Sequence, residues 1–484
     1  MAPTSEARPD VAGGVAVESH GLTRQLTLRD LVLTQILCVV GSAWVGVAAG
    51  LGRAQAVVWL AAMALFYLPM AVSVYYLNRE MPLEGGLYVW ARQAFGDGWG
   101  FMTAWNIWAY GLCVTASILY GLPTEFAYLI GPSAAWLPES HTASLGIVGA
   151  ILAGLTVASL RGLALGRWIH NISGAGMVAV FGLLILTPFW AMIHGVPLHY
   201  APIAIALPKA NLYSLALIGQ MFGALCGLEY IAILAGEAKA PTRNIGLSVL
   251  ISSPIICAMF ILGTGAVLAF HEFHFQTKID FIAPIPQTLR FAFGNSGFGN
   301  LLAMAAIILV QMRLIGAASY IFTGVTRLPM TAGWDHLIPA WFARLSKRNH
   351  VPVNSILASA GIVTLLLIVS SAGVKAAEAF QVLSQSSQEL YALAYLSMFA
   401  IPIVGSKALR QKLPGWVAWT TGCGFLFTIF SFVMTAYPFV DVVNARTYAT
   451  KILGTTLLAN VIGLAFYAGR RKARARRNEH IANL

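Results

Sequence analysis

Charge is scarce in this sequence. Only 10% of its 484 residues are Asp, Glu, Lys or Arg, while 58% are hydrophobic. A soluble chain of that length needs far more polar surface to cover itself, which excludes a soluble globular fold. Acids are the rarer charges, 18 against 30 Lys and Arg. His194, His199, His271 and His274 therefore lack the carboxylate-rich surroundings of a metal motif, and no metal or other cofactor is expected. Cysteine is also sparse. Cys38, Cys113, Cys226, Cys257 and Cys423 all fall inside apolar runs and read as small core residues, not as a disulfide frame. No G-x-x-x-x-G-K-[ST] loop occurs, and no soluble domain exists to house one, so ATP-driven chemistry is not expected. Met1 to His20 is polar, with no sign of a cleavable signal.

What is present is a series of twelve apolar runs, from 30–52 to 449–469, each long enough to cross a bilayer as a helix. The fold class expected is an all-α integral membrane protein. The net charge of +12 is spread in a way that argues against nucleic acid. With the N-terminus in the cytoplasm, the cytoplasmic segments hold 22 Lys and Arg and the outside segments 7, with Arg313 alone inside a span. That bias puts both termini in the cytoplasm of an inner (plasma) membrane. Residues 1–25 read as a disordered cytoplasmic N-terminus and residues 471–484 as a basic tail lying against anionic headgroups. The segment 328–352, with Trp334 to Pro339, suits a short interfacial helix.

Two spans look interrupted. The first carries Gly41-Ser42-Ala43-Trp44-Val45-Gly46, and the sixth carries Gly223 and Gly227. They lie five spans apart and cross the membrane in opposite senses. That is the pointer to an inverted repeat with a binding site where the broken helices meet. A packing role for the same glycines is the competing reading.

Four segments then resemble the amino acid–polyamine–organocation (APC) superfamily. Gly41-Ser42-Ala43 is similar to its G-S-G, with the last glycine replaced. Pro82-Leu83-Glu84-Gly85-Gly86-Leu87-Tyr88-Val89-Trp90 resembles its P-x-x-G-G-x-Y loop. Gly227-Leu228-Glu229, with Glu237 to Ile245, resembles its G-x-E and E-x-x-x-P-x-R-x-I. Arg327 with Asp335 to Pro339 is similar to the segment after span 8. The resemblance covers about residues 25–470. It implies a leucine-transporter-like fold: a five-plus-five inverted repeat with discontinuous helices 1 and 6. The repeats would be 26–200 and 205–410, with helices 11 and 12 in 411–470. It implies a secondary transporter for an amino acid, proton-coupled or exchanging, with a polyamine or other organic amine as the alternative cargo. A membrane enzyme and a transporter-like sensor are the remaining alternatives. The substrate's carboxylate would meet the free N–H groups near Ser42, Ala43 and Trp44, and its ammonium the open carbonyls near Gly41, Gly223 and Ala224. Phe222, Cys226 and Gly227 would complete the site. Many sodium-independent relatives carry a lysine midway along helix 5. Here that stretch is Gly174-Ala175-Gly176-Met177, which leaves coupling to protons or sodium open.

Three charges sit near mid-depth, where each costs a few kcal/mol or more if unpaired: Glu229, Arg313 and Glu389. By resemblance Glu229 is the proton-responsive carboxylate. Arg313 stays charged and needs an anion. Glu389 is the first candidate and Glu229 the second, and the pair reads either as a fixed charge for coupling or as a structural bond. Trp44, Trp105, Asn106, Trp108, Tyr110 and Tyr230 are candidate pocket aromatics and polar neighbours, set against packing or interface roles. Glu125, toward the outer end of span 3, is expected in interface water. Pro82 to Phe95 reads as an amphipathic connector.

Overall fold

A computed structural model describes residues 27–482 except 82–85, 162, 230–240, 272–277, 332–340, 343, 347–350 and 406. The expectations for residues 1–25, Glu84, Tyr230, Glu237, His274 and Trp334 to Pro339 lie outside the described residues. Among those described there is no strand, and ten helices are long and apolar enough to cross a membrane. At the other two expected spans the described residues form helices in pieces, Leu28–Val39 with Ser42–Ala49 and Leu212–Gly219 with Met221–Leu225.

The first crossing begins as α1 (Leu28–Val39), which has a sequence-encoded start. The Thr27 side chain accepts from the Asp30 N–H, and the Thr27 N–H donates back to Asp30 Oδ2. The helix stops because Val40 and Gly41 are extended, and it resumes as α2 (Ser42–Ala49). We call the membrane face where α1 starts the near face and the other the far face. The chain returns through α3 (Gln55–Ala62), a π-helical turn at Met63–Tyr67, and α4 (Leu68–Glu80). On the near face α5 (Leu87–Phe95) leads into α6 (Asp97–Ile130), followed by α7 (His141–Arg161) and α8 (Leu163–Ile193).

The sixth crossing is the second interrupted one. It runs as α9 (Leu212–Gly219), a turn at Gln220, and α10 (Met221–Leu225), then leaves helical geometry at Cys226. Gly227 has φ +117, a left-handed conformation that favours glycine. After it come α11 (Pro241–His271), a short far-face helix α12 (Pro284–Phe293), α13 (Gly297–Thr331), α14 (Val353–Ser371), α15 (Ala376–Val404), α16 (Gly415–Met434) and α17 (Ala445–Ala482).

The core is built around the broken helices. α1 packs along α11, where Gln35 Nε2 donates to Ser248 Oγ at 2.8 Å. α6 packs along both α13 and α15. Phe66, in the π-helical turn, is ringed by Phe222, Tyr395, Phe399 and Phe427 at centroid distances of 5.0–6.0 Å. Large apolar side chains on the outer helices stay exposed, among them Leu250, Leu365 and Leu426. Exposed Cys423 on α16 belongs with them and is not the core residue expected, whereas Cys113 and Cys226 are buried. Apolar surface on closed helices is what a hydrocarbon solvent requires.

Candidate functional site

Both interrupted crossings meet at Trp44, on the first turn of α2. A Cβ placed on Gly41 would lie 2.6 Å from its Cδ1, and one placed on Gly223 would lie 2.8 Å from its Cη2. One indole thus lies between the first break and α10, just ahead of the second break, and its close approach favours glycine on both sides. Ala43 is helical within α2, because the break falls upstream at Val40 and Gly41. The glycine replaced in the G-S-A motif therefore does not obstruct the interruption. In the sixth crossing Phe222, Gly223 and Ala224 are still helical, and the open backbone runs from Cys226 to Glu229.

The Gly227 N–H does not return to a helical carbonyl. It donates to Tyr395 Oη of α15 at 3.1 Å, and the same hydroxyl donates to Glu229 Oε2. Glu229 is buried. Its carboxylate is therefore tied through one phenol to the backbone of the break, a partner that the sequence reading did not name. Cys226 is buried at the same turn.

Arg313 Nη2 donates to Ser42 Oγ at 2.7 Å, which joins α13 to the first residue of α2. Its stem passes over Gly176 of α8, where a Cβ would lie 3.9 Å from Arg313 Cβ. The expected Arg313–Glu389 pair is not formed. Glu389 accepts from Thr435 Oγ1 at 3.0 Å and Thr456 Oγ1 at 2.6 Å, so two hydroxyls from α16 and α17 satisfy it. Among the described residues, an acid whose charge acts on Arg313 is Glu125 of α6. Glu125 was expected in interface water and is instead 1% exposed. It faces inward because α6 is covered there by the segment before α12: Ile282 lies against Gly121.

A glutamine cluster also borders the break. Gln385 and Gln388 of α15 each donate to Gln220 Oε1, at 2.7 and 2.8 Å. A Cβ on Gly223 would lie 2.6 Å from Gln388 Oε1. Gln381, Gln385 and Gln388 recur at helical spacing in an apolar helix, the sequence signal by which this polar stripe could have been found.

Other expected pocket residues point elsewhere. Trp105 Nε1 donates to Ala459 O at 2.7 Å, and Asn106 exchanges amide hydrogen bonds with Asn460, so both serve the contact between α6 and α17. Trp108 meets Phe342 edge-on. Tyr110 stacks on Tyr391 at 3.9 Å, and Tyr391 abuts Tyr395, which links it indirectly to the break. The connector reading of Leu87 to Phe95 fits its contacts: Trp90 Nε1 donates to Met81 O, and Arg92 pairs with Asp97.

The far face is closed over α2. A Cβ on Gly46 would meet Pro284 at 2.7 Å and Asp280 O at 3.3 Å. Asp280 accepts from the N–H groups of Ile282 and Ala283 and from Tyr128 Oη. Burial pushes its carboxyl above the usual range, partly offset by those donors. Arg290 holds the carbonyls of Tyr128 and Leu129 at 2.8 Å. A cavity of about 350 Å³ opens beside them, lined by Thr124, Tyr128, Asp280 and Arg290 among others.

The profile of the amino acid permease family matches residues 26–462, nearly the whole chain. The chain belongs to that family, within the APC superfamily. This permease is 25% identical over 387 residues to an uncharacterized transporter of Legionella pneumophila, covering 78% of this chain and 80% of that one. It is 23% identical over 308 residues to the branched-chain amino acid permease BcaP of Lactococcus lactis, covering 61% and 64%. It is 21% identical over 477 residues to the serine/threonine exchanger SteT of Bacillus subtilis, covering 95% and 99%. The permease is thus a multi-pass membrane protein of a transporter family.

Proposed function

We propose that this permease is a secondary active transporter that moves an amino acid by alternating access, proton-coupled or as an exchanger. The observation that carries the reading is the meeting of two interrupted helices across a single indole, Trp44. Helix ends inside a membrane leave backbone groups that only a solute, water or a side chain can satisfy. The N-terminus of α2 favours an anion and the C-terminus of α10 a cation, so a zwitterion fits between them. Trp44 fills that space here and has to yield to a substrate. Gly41, Ser42, Ala43, Phe222, Gly223, Ala224, Cys226 and Gly227 are the proposed contacts, and an amine without a carboxylate would use only half of them.

Glu229 is the proposed proton-responsive group, because a change at its carboxyl reaches the open backbone through Tyr395 and Gly227. Arg313 is the proposed substitute for a bound cation. Its guanidinium sits on Ser42 at the first break, so sodium there would face a permanent positive charge. The Lys and Arg bias supports a topology with both termini and the near face cytoplasmic, in the inner (plasma) membrane.

Proteoliposomes test the reading. Uptake of labelled amino acids and polyamines is measured with and without a pH gradient, and with sodium varied. Amino acid uptake that follows the pH gradient or a counter-loaded amino acid, and ignores sodium, is expected. Polyamine uptake without amino acid uptake would favour the alternative cargo, and a sodium requirement would remove the role given to Arg313.

A further inference from the structure

Glu125 differs from the other buried acids described. Glu229 is held by Tyr395, Glu389 by two threonines and Glu378 by the Val443 N–H, and half-buried Asp280 is held by three donors. Glu125 is 1% exposed, and neither carboxylate oxygen has a hydrogen-bond partner among the described residues. A bare carboxylate in such a place is strongly disfavoured, while a neutral carboxylic acid is tolerated. Arg313 lies within range of its charge, but that guanidinium is directed to Ser42.

Among the described residues no other counter-charge acts on Glu125. From α13 the charge of Arg313 acts on Glu125 and favours its carboxylate. From the segment before α12 it is Asp280, an acid that adds repulsion. Arg290 of α12 is committed to the carbonyls of Tyr128 and Leu129 and to Asn300 Oδ1. Tyr128, on the same helix, donates to Asp280, and α14 carries no ionisable residue at all. The acid at the far-face end of α15, Glu378, accepts from the Val443 N–H. Water has a route part of the way, because the far-face cavity reaches Thr124 and Tyr128, which flank Glu125 along α6.

We propose that Glu125 is a proton-binding site loaded from the far face, and that Arg313 alternates between Ser42 and Glu125 as the proton arrives and leaves. In the loading step a proton from far-face water forms an O–H bond with a Glu125 oxygen. The carboxyl becomes neutral, and Arg313 rests on Ser42, the arrangement seen. In the release step Arg313 leaves Ser42 and pairs with the carboxylate. The O–H bond breaks with its electrons kept on oxygen, and the proton passes to water. Ser42 begins α2, so release also frees the helix end proposed for the substrate carboxylate. The proton site stands apart from the transport reading, while its use in coupling rests on that reading.

Infrared difference spectroscopy tests the site without any substrate. Purified protein in lipid is titrated between acid and alkaline pH, and the carbonyl stretch of a protonated carboxyl is followed. The expected result is a titrating component that is lost in Glu125→Gln, kept but displaced in Glu125→Asp, and kept in Glu229→Gln. Arg313→Lys should move its midpoint. A spectrum unchanged by Glu125→Gln would overturn the proposal, as would its component failing to respond in both Glu125→Asp and Arg313→Lys. Proteoliposomes give the second readout, with labelled L-serine, L-leucine and L-arginine tested singly. Glu125→Gln should flatten the dependence of uptake on far-side pH. Full pH dependence in that variant would remove the role in coupling, and no uptake by wild-type protein would remove the transport reading while leaving the spectroscopic result intact.

Discussion

At the scale of single residues, Tyr395 joins the buried acid to the break. Its hydroxyl accepts from Gly227 and donates to Glu229, so one oxygen links an acid to an open backbone. Tyr395→Phe leaves the Gly227 N–H and the Glu229 carboxylate without that partner, each a loss of about 1–3 kcal/mol for a buried polar group. We expect a lower thermal midpoint and uptake that no longer responds to pH as wild type does. Wild-type uptake across the pH range in Tyr395→Phe would remove the link. The sequence exposed Glu229, because an acid in an apolar run stands out. It hid Tyr395, one tyrosine among 16, whose partner lies 166 positions away. The Arg313–Glu389 pairing failed for a similar reason. Charge alone suggested it, whereas Thr435 and Thr456 are ordinary residues until folding brings them onto Glu389.

At the scale of elements the breaks were legible, and their positions less so. Glycines at 41 and 46 and at 223 and 227 marked the right crossings. They could not tell which of them serve close approach and which a special backbone conformation. Gly41 and Gly223 make room for Trp44, while Gly227 carries φ +117. Gly227→Ala should therefore cost about 1–3 kcal/mol of backbone strain, read as a lower denaturation midpoint. Gly223→Ala should instead displace Trp44 and Gln388, and change intrinsic tryptophan fluorescence with little loss of helix by circular dichroism. An unchanged emission spectrum in Gly223→Ala would contradict the close packing of that indole.

At the scale of the molecule the ten long apolar helices among the described residues followed from hydropathy, because hydrocarbon allows a helix few polar residues. What hydropathy could not reveal is the closure of the far face by the 278–294 segment, whose contacts with α2 and α6 are long-range. Asp280, half-buried, is the acid of that closure, and its carboxyl is raised by burial. The folded state therefore holds this proton to higher pH than the unfolded chain does. Stability from this group is greatest at low pH and falls as pH rises from the ordinary carboxylate range through the raised value. Asp280→Asn should flatten that slope in a melting series against pH, and a slope as steep as in wild type would exclude Asp280 as its source.

We propose that two helix ends, those of α2 and α10, together read both charges of a zwitterion. Competition of labelled amino acid uptake in proteoliposomes tests it most directly, using for each amino acid the free form, its N-acetyl derivative and its methyl ester. The free amino acid should compete and both blocked forms should fail, since each removes one charge from one helix end. Blocked forms that compete as well as the parent would contradict it.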